Sequence, residues 1–333
     1  MQNPKQSKLA TLCLTSLLVF SAFLQPLSAS LIPSHINMII YGVDDRLDVS
    51  QSPSPLLRYL ADSTVLLVSE ENIFFDEELQ SHELLTEFFG KAQNLCTNEP
   101  FYFQPTAGFC SGTLVAPGLI LTAGHCVNHL SCLTTKIVFG FHADAEGVAN
   151  TLVPRENLFS CNYVTHFSLG NSRNPQPDFA LIELDRDVSN HAPVRVNTQN
   201  NLVEDSIVAV IGHPSVLPTK IADNGIVRDS SHPDYFMAST DTYSGNSGSG
   251  VFNSVTGVLE GILVEGDTDF FFDRADRCYR SRVCNTDSCA GEKITKAYLV
   301  APLIREYMER GTISTQAPAA SSTNQPIAEA QNP

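Results

Sequence analysis

A chain of 333 residues, 43% of them hydrophobic, has material for two packed lobes and is no disordered polypeptide. Its 20 Lys and Arg stand against 36 Asp and Glu, a formal net charge of −16, so most of the surface repels nucleic acid and anionic membrane and neither is expected as a partner. Nine cysteines without paired Cys-x-x-Cys zinc spacing indicate an oxidising compartment, and neither a metal nor a cofactor is expected.

At the N-terminus, Lys5 and Lys8 precede the run Leu9 to Leu24, apolar apart from a few Ser and Thr and one Cys, and Pro26 and Ser28-Ala29-Ser30 follow. These are the charged, apolar and cleavage regions of a secretory signal, with an apolar run shorter than the roughly 20 residues of a spanning helix. Residues 1–30 are therefore expected to direct export, extracellular or periplasmic, and to be removed near Ser30. Removal takes Cys13 away, leaves eight cysteines and moves the formal charge from −16 to −18. No second apolar run is long enough to span a bilayer.

Further along, Ser63 to Val68 is strand-like, and the acidic amphipathic piece Glu77 to Phe89 is expected as a helix. From Phe109 onward short β-branched or apolar runs recur between Gly, Pro and Asn. They are Thr113 to Val115, Leu119 to Thr122, Lys136 to Phe141, Phe179 to Leu184, Ile207 to Ile211, Gly225 to Arg228, Gly250 to Phe252 and Val258 to Val264. Many short strands without long helices between them indicate a sandwich or barrel. Near the end, Ala297, Val300, Ala301, Ile304 and Met308 recur at helical spacing within Ile294 to Glu309, and Gly311 is expected to stop that helix. Residues 311–333 read as a disordered tail, poor in large apolar groups.

Three segments carry chemistry together that none carries alone. Gly124-His125-Cys126 follows one strand, Asp178-Phe179 opens another, and Gly245-Asn246-Ser247-Gly248-Ser249-Gly250 is a glycine-rich turn before Val251. A serine hydroxyl is a weak nucleophile until an imidazole takes its proton, and the imidazole needs a carboxylate to hold its tautomer. Ser247, His125 and Asp178 fill those roles. Glycines around the serine let the N–H groups of Gly245 and Ser247 converge on an oxyanion, at roughly 3 to 4 kcal/mol per donor.

With Cys110-Ser111-Gly112-Thr113-Leu114-Val115 added, these motifs resemble those of the chymotrypsin/trypsin-like serine peptidases, in the chain order His, Asp, Ser. The resemblance implies an all-β fold, two six-stranded antiparallel β-barrels with a short C-terminal helix. It also implies a Cys110–Cys126 disulfide and a monomer acting on protein or peptide substrates. It spans roughly residues 105–310, leaving 31–38 as a propeptide and 39–104 as an N-terminal extension with the start of the first barrel. Within the family the serine loop looks closest to the bacterial branch that includes the glutamyl endopeptidases, except that Gly250 stands where that branch usually has Pro. Asn246 stands where trypsin-like enzymes have the Asp that meets a freed N-terminal amine, so activation by cleavage at Ile39 lacks its ion pair.

The family's side-chain pocket maps onto Asp241, Thr242, Val264, Glu265 and Gly266. A desolvated carboxylate at Asp241 would favour cleavage after Arg or Lys, and Leu263 stands where a glutamate-reading histidine is expected, although Thr242 is shared with the glutamate-cleaving branch. Asp241 as a strand-end cap pointing elsewhere is the plain alternative. The acidic stretch Glu265 to Asp276 reads as a solvated loop in preference to a calcium site, since it has no EF-hand spacing. Three readings compete: an endopeptidase with basic preference, one specific for glutamate, and a catalytically idle binding module. An α/β-hydrolase would want the serine before the histidine.

Overall fold

The computed structural model describes residues 40–170, 173–266, 268–284, 289 and 291–315. The signal segment, residues 31–38, Ile39 and the tail beyond 315 lie outside the described residues.

Alternating apolar positions roll the chain into two closed antiparallel barrels. The first comprises β1 (Thr64–Ser69), β2 (Cys110–Ala116), β3 (Leu119–Thr122), β4 (Thr135–Phe139), β5 (Leu158–Ser168) and β6 (Phe179–Leu184), in the closed order β4-β5-β6-β3-β2-β1. The second comprises β7 (Ile207–Gly212), β8 (Lys220–Asp229), β9 (Tyr235–Ser239), β10 (Gly250–Asn253), β11 (Leu259–Glu265) and β12 (Glu292–Lys296). Its order is β7-β10-β11-β12-β9-β8, closed by pairing of β7 with β8. The double six-stranded barrel expected from the sequence is therefore the fold.

Several strands read as unbroken apolar runs because both their faces are buried. Along β7, Val208 and Val210 join a cluster confined to the second barrel, with Phe236, Val251 and Leu263, while Ala209 and Ile211 join the core that spans both barrels. That shared core presses the lobes together at a seam.

Both ends of the described chain reach across that seam or around it. Leu47–Asp48 adds to β8 at Lys220 and Ile221, and Ile40–Tyr41 runs parallel to Val283–Cys284. Lys220 is buried and its ammonium donates to Asp48 (2.5 Å), Gln104 Oε1 (2.7 Å) and the carbonyl of Pro218 (3.0 Å). The helix Ala301–Thr315 brings Ile304 into the same core as Leu114 and Val115 of β2. No helix of the described residues is long and apolar enough to cross a membrane.

Four disulfides staple this frame: Cys110–Cys126, Cys132–Cys161, Cys96–Cys278 and Cys284–Cys289. Cys278 thus bonds far upstream, and its hairpin, Phe270–Asp273 with Cys278–Ser281, is closed by Arg280 against Asp273 and Asp276.

Two expectations are corrected. Glu77 to Phe88 holds no helix, and only a single turn, Phe89–Ala92, follows: Ile73–Asp76 and Ser81–Leu84 form a hairpin, and Leu79, Leu85 and Phe88, which would have made the apolar face, lie exposed. Ile294 belongs to β12, so the last helix begins at Ala301 and continues through Gly311 to Thr315.

Candidate active site

Strand pairing assembles the acid and the histidine. β6 and β3 pair with Ala180 opposite Thr122, so the residues just beyond each strand end, Asp178 and Gly124, meet. There the chain makes a single 3₁₀ turn, Gly124–Cys126, whose first N–H groups need acceptors. Asp178 supplies them: Oδ1 accepts the N–H of Gly124 and of His125 (3.2 Å), while Oδ2 lies 2.7 Å from Nδ1 of His125. One carboxylate therefore fixes both the backbone and the ring of the histidine, placing the proton on Nδ1. His125 Nε2 is enclosed and has no hydrogen-bond partner among the described residues.

Ser247 arrives from the second barrel, in the turn that leads into β10. Its carbonyl accepts the N–H of Ser111 on β2 (2.9 Å) and lies 3.6 Å from Sγ of Cys126, the neighbour of His125. Ser247 is 2% exposed. Gly245 (φ +93°) and Gly248 (φ +87°) flank it in the left-handed region. A Cβ on Gly248 would fall 2.2 Å from the carbonyl oxygen of Ser111, and one on Gly245 would fall 2.8 Å from the nitrogen of Val216. The turn thus tolerates only glycine at both places. Asn246 braces it from inside, donating its N–H to Tyr243 O (3.0 Å) and accepting the Ser249 hydroxyl at Oδ1 (2.9 Å).

Beside this turn opens a cleft of about 760 Å³, reaching Ser244 and Gly245, with Phe109, Phe270 and Tyr279 among its walls. Asp269 is the one acidic or basic side chain lining it among the described residues. The Asp269 carboxylate accepts the N–H of Ser244 (3.0 Å), and burial pushes its pKa up to about 8, against that bond and the charge of Arg46.

None of the five residues assigned to a side-chain pocket lines this cleft. Asp241 is 4% exposed and accepts the N–H groups of Tyr41 (2.7 Å) and Asp45 (2.9 Å), so in this conformation it anchors the N-terminal segment. Burial, then the charge of Asp45, raises its pKa to about 7 against those two bonds. Thr242 is buried, with its hydroxyl donated to Glu292 Oε2 (2.9 Å); Val264 is buried in the shared core. Glu265 is exposed and pairs with Lys293 (3.3 Å), and Gly266 is half-buried after β11. In place of an open pocket, Tyr243 fills the interior, with the Arg46 guanidinium 3.8 Å above its ring and Phe270 4.9 Å away. Sequence reasoning missed Asp269, which it read as part of a solvated loop. Its flanking Phe270-Phe271-Phe272 was the available signal, because an apolar run draws its neighbour inward.

Residues 110–262 match the family model described as the trypsin-like peptidase domain. Over 125 residues, the chain is 31% identical to snake venom serine protease 1 of Craspedocephalus gramineus and to snake venom serine protease PA of Trimeresurus stejnegeri. Each alignment covers 36% of this chain and 44% of the relative, so the chain spans less than half the length of these curated relatives. Among solved structures, a Glu endopeptidase in complex with MPD is similar at 18% identity and a TM-score of 0.44, covering 82% of this chain and all of that one. Residues 110–262, which hold the histidine, aspartate and serine turns and lie within the two closed barrels, are thus a trypsin-like peptidase domain.

Proposed function

We propose that the protein is an exported serine endopeptidase with Ser247 as nucleophile, His125 as general base and then acid, and Asp178 orienting His125. The observation that carries this reading is the 2.7 Å Asp178–His125 contact, which puts the ring proton on Nδ1 and leaves Nε2 to act as base. Ser247 Oγ attacks the scissile carbonyl as its proton passes to Nε2, and the negative charge on the carbonyl oxygen is met by the N–H groups of Gly245 and Ser247. Collapse expels the amine, protonated from the imidazolium, and leaves an acyl-enzyme that water hydrolyses by the same relay. The hydrogen bond from Ser247 to Nε2 that this step needs forms when substrate enters, as catalytic contacts are commonly incomplete in free enzymes.

A preference for Lys or Arg next to the scissile bond is part of the reading, with its support moved from Asp241 to Asp269, the acid facing the cleft beside Gly245. Glutamate specificity finds no cationic lining residue there. Export is supported by four disulfides, which need an oxidising compartment. The low exposure of Ser247 favours a second reading, an inactive protein-binding module. A mixed peptide library read by mass spectrometry separates the two. Cuts that fall by about five to six orders of magnitude in Ser247→Ala support the peptidase. Absence of cuts by the oxidised wild-type protein, or equal cutting by the variant, overturns it.

A further inference from the structure

Ser111 spends every polar group it has on the serine turn and its surroundings. It is fully buried. Its N–H donates to Ser247 O (2.9 Å) and its carbonyl accepts the Thr122 hydroxyl (2.7 Å). Its hydroxyl donates to Gly245 O (2.9 Å) and accepts the N–H of His213 (3.0 Å). One residue of the first barrel therefore grips the carbonyls at both ends of Gly245-Asn246-Ser247, the turn whose N–H groups serve as oxyanion donors in the reading above.

The peptide ahead of that turn is fixed from the other side. Ser244 O accepts the N–H of Ser215 (2.6 Å). In a trans peptide the N–H points opposite to the C=O, so this bond directs the Gly245 N–H away from the 213–217 loop. The loop holds Ser215 (φ 49°) and Val216 (φ 53°) in the left-handed region, an unusual place for a β-branched residue. It is held there by the His213 ring, whose Nδ1–H donates to Leu217 O (2.9 Å), and by Ala107 N–H on Val216 O (2.9 Å). Because the Ser111 hydroxyl also accepts from His213, it joins the strained loop to the turn.

We infer that the Ser111 hydroxyl is a positioning residue for oxyanion stabilisation: it orients the Gly245 and Ser247 donors without touching substrate. This rests on the acyl-transfer reading. Deleting the hydroxyl frees the Gly245 carbonyl, one peptide after the Gly245 N–H, and unpairs the His213 N–H at the base of the loop whose Ser215 holds Ser244 O; released on both sides, the Ser244–Gly245 peptide can turn its donor aside. That loss is felt when charge develops on the substrate oxygen and not when substrate binds.

The test compares Ser111→Ala, Ser111→Gly and Ser111→Thr with the wild-type protein on one cleaved peptide and on a peptidyl boronic acid, which forms the tetrahedral adduct. Two deletion variants are used so that failure of one to fold leaves the other. The expected result for either is a kcat lower by about 10- to 100-fold, somewhat less than direct loss of a donor. KM should stay within about twofold, boronate affinity should fall in parallel with kcat, and Ser111→Thr should recover most of the loss. Ser63→Ala removes another enclosed hydroxyl bond in the same barrel, to Ala192 O (2.6 Å), and controls for lost stability. Wild-type kcat in the Ser111 deletions, or an equal kcat loss in Ser63→Ala, overturns the inference while the peptidase reading stands. A wild-type protein that cuts nothing overturns both.

Discussion

Replacing Asp241 by alanine tests whether this carboxylate anchors the N-terminal segment or reads substrate. Its two oxygens accept the N–H groups of Tyr41, which is buried, and of Asp45, which is half-buried. Alanine leaves two donors unpaired, at about 1–3 kcal/mol each, and relieves part of that by removing a carboxyl whose pKa burial has raised to about 7. A net cost of about 3 kcal/mol follows. For a folded body of this size that lowers Tm by about 5 °C. Scanning calorimetry measures the shift, and limited proteolysis with an added protease should cut near Tyr41 sooner than in the wild-type protein. Asp241→Asn should recover about half, because its amide can accept one N–H but presents its own donors to the other. Unchanged Tm and protection, together with a selective loss of cleavage after Arg and Lys, would refute the anchor and restore Asp241 to the pocket.

Asp269→Asn should abolish the preference for basic side chains while leaving cleavage of neutral peptides intact, read in the same library. In the wild-type protein that preference should strengthen from about pH 7 to 9, as Asp269, raised to about 8 by burial, becomes anionic. The sign for stability is opposite: a folded pKa above the unfolded one means that the contribution of Asp269 is present at low pH and is lost as pH rises towards about 8. Thermal melts of Asp269→Asn should lack that slope. Lys220→Met leaves Asp48 as a buried charge without its cation and should cost about 3–5 kcal/mol, with much of it recovered by pairing it with Asp48→Leu; denaturant titration measures both.

How far each feature could be read from the sequence follows from how local its cause is. The turns that carry His125, Asp178 and Ser247 were legible because each lies within a short segment and the serine turn demands Gly245 and Gly248. β3 and β6 were legible because runs such as Leu119 to Thr122 are buried on both faces and admit only apolar residues. The hairpin at Ile73–Leu84 was not, since its apolar residues are spaced as they would be on a helix and are left largely in solvent. The bond from Tyr41 to Asp241 was not legible, because the two lie 200 residues apart, where no local pattern can register it. Ser111 stood inside a quoted motif, yet nothing in its neighbours announces that its hydroxyl reaches Gly245, 134 residues on.

The reach of the N-terminal segment into the second barrel constrains the order in which the molecule can form. Residues 40–48 are made before either barrel, but the acceptor for Tyr41 and the ammonium for Asp48 follow only 200 and 172 residues later. β1 follows that segment and closes the first barrel, and the helix that packs beside β2 comes last of all. The six strands of the first barrel are complete by Leu184, yet the helix that packs on them is made only after the second barrel. A seam that carries His125 on one bank and Ser247 on the other cannot exist in a chain that stops short of Ser247.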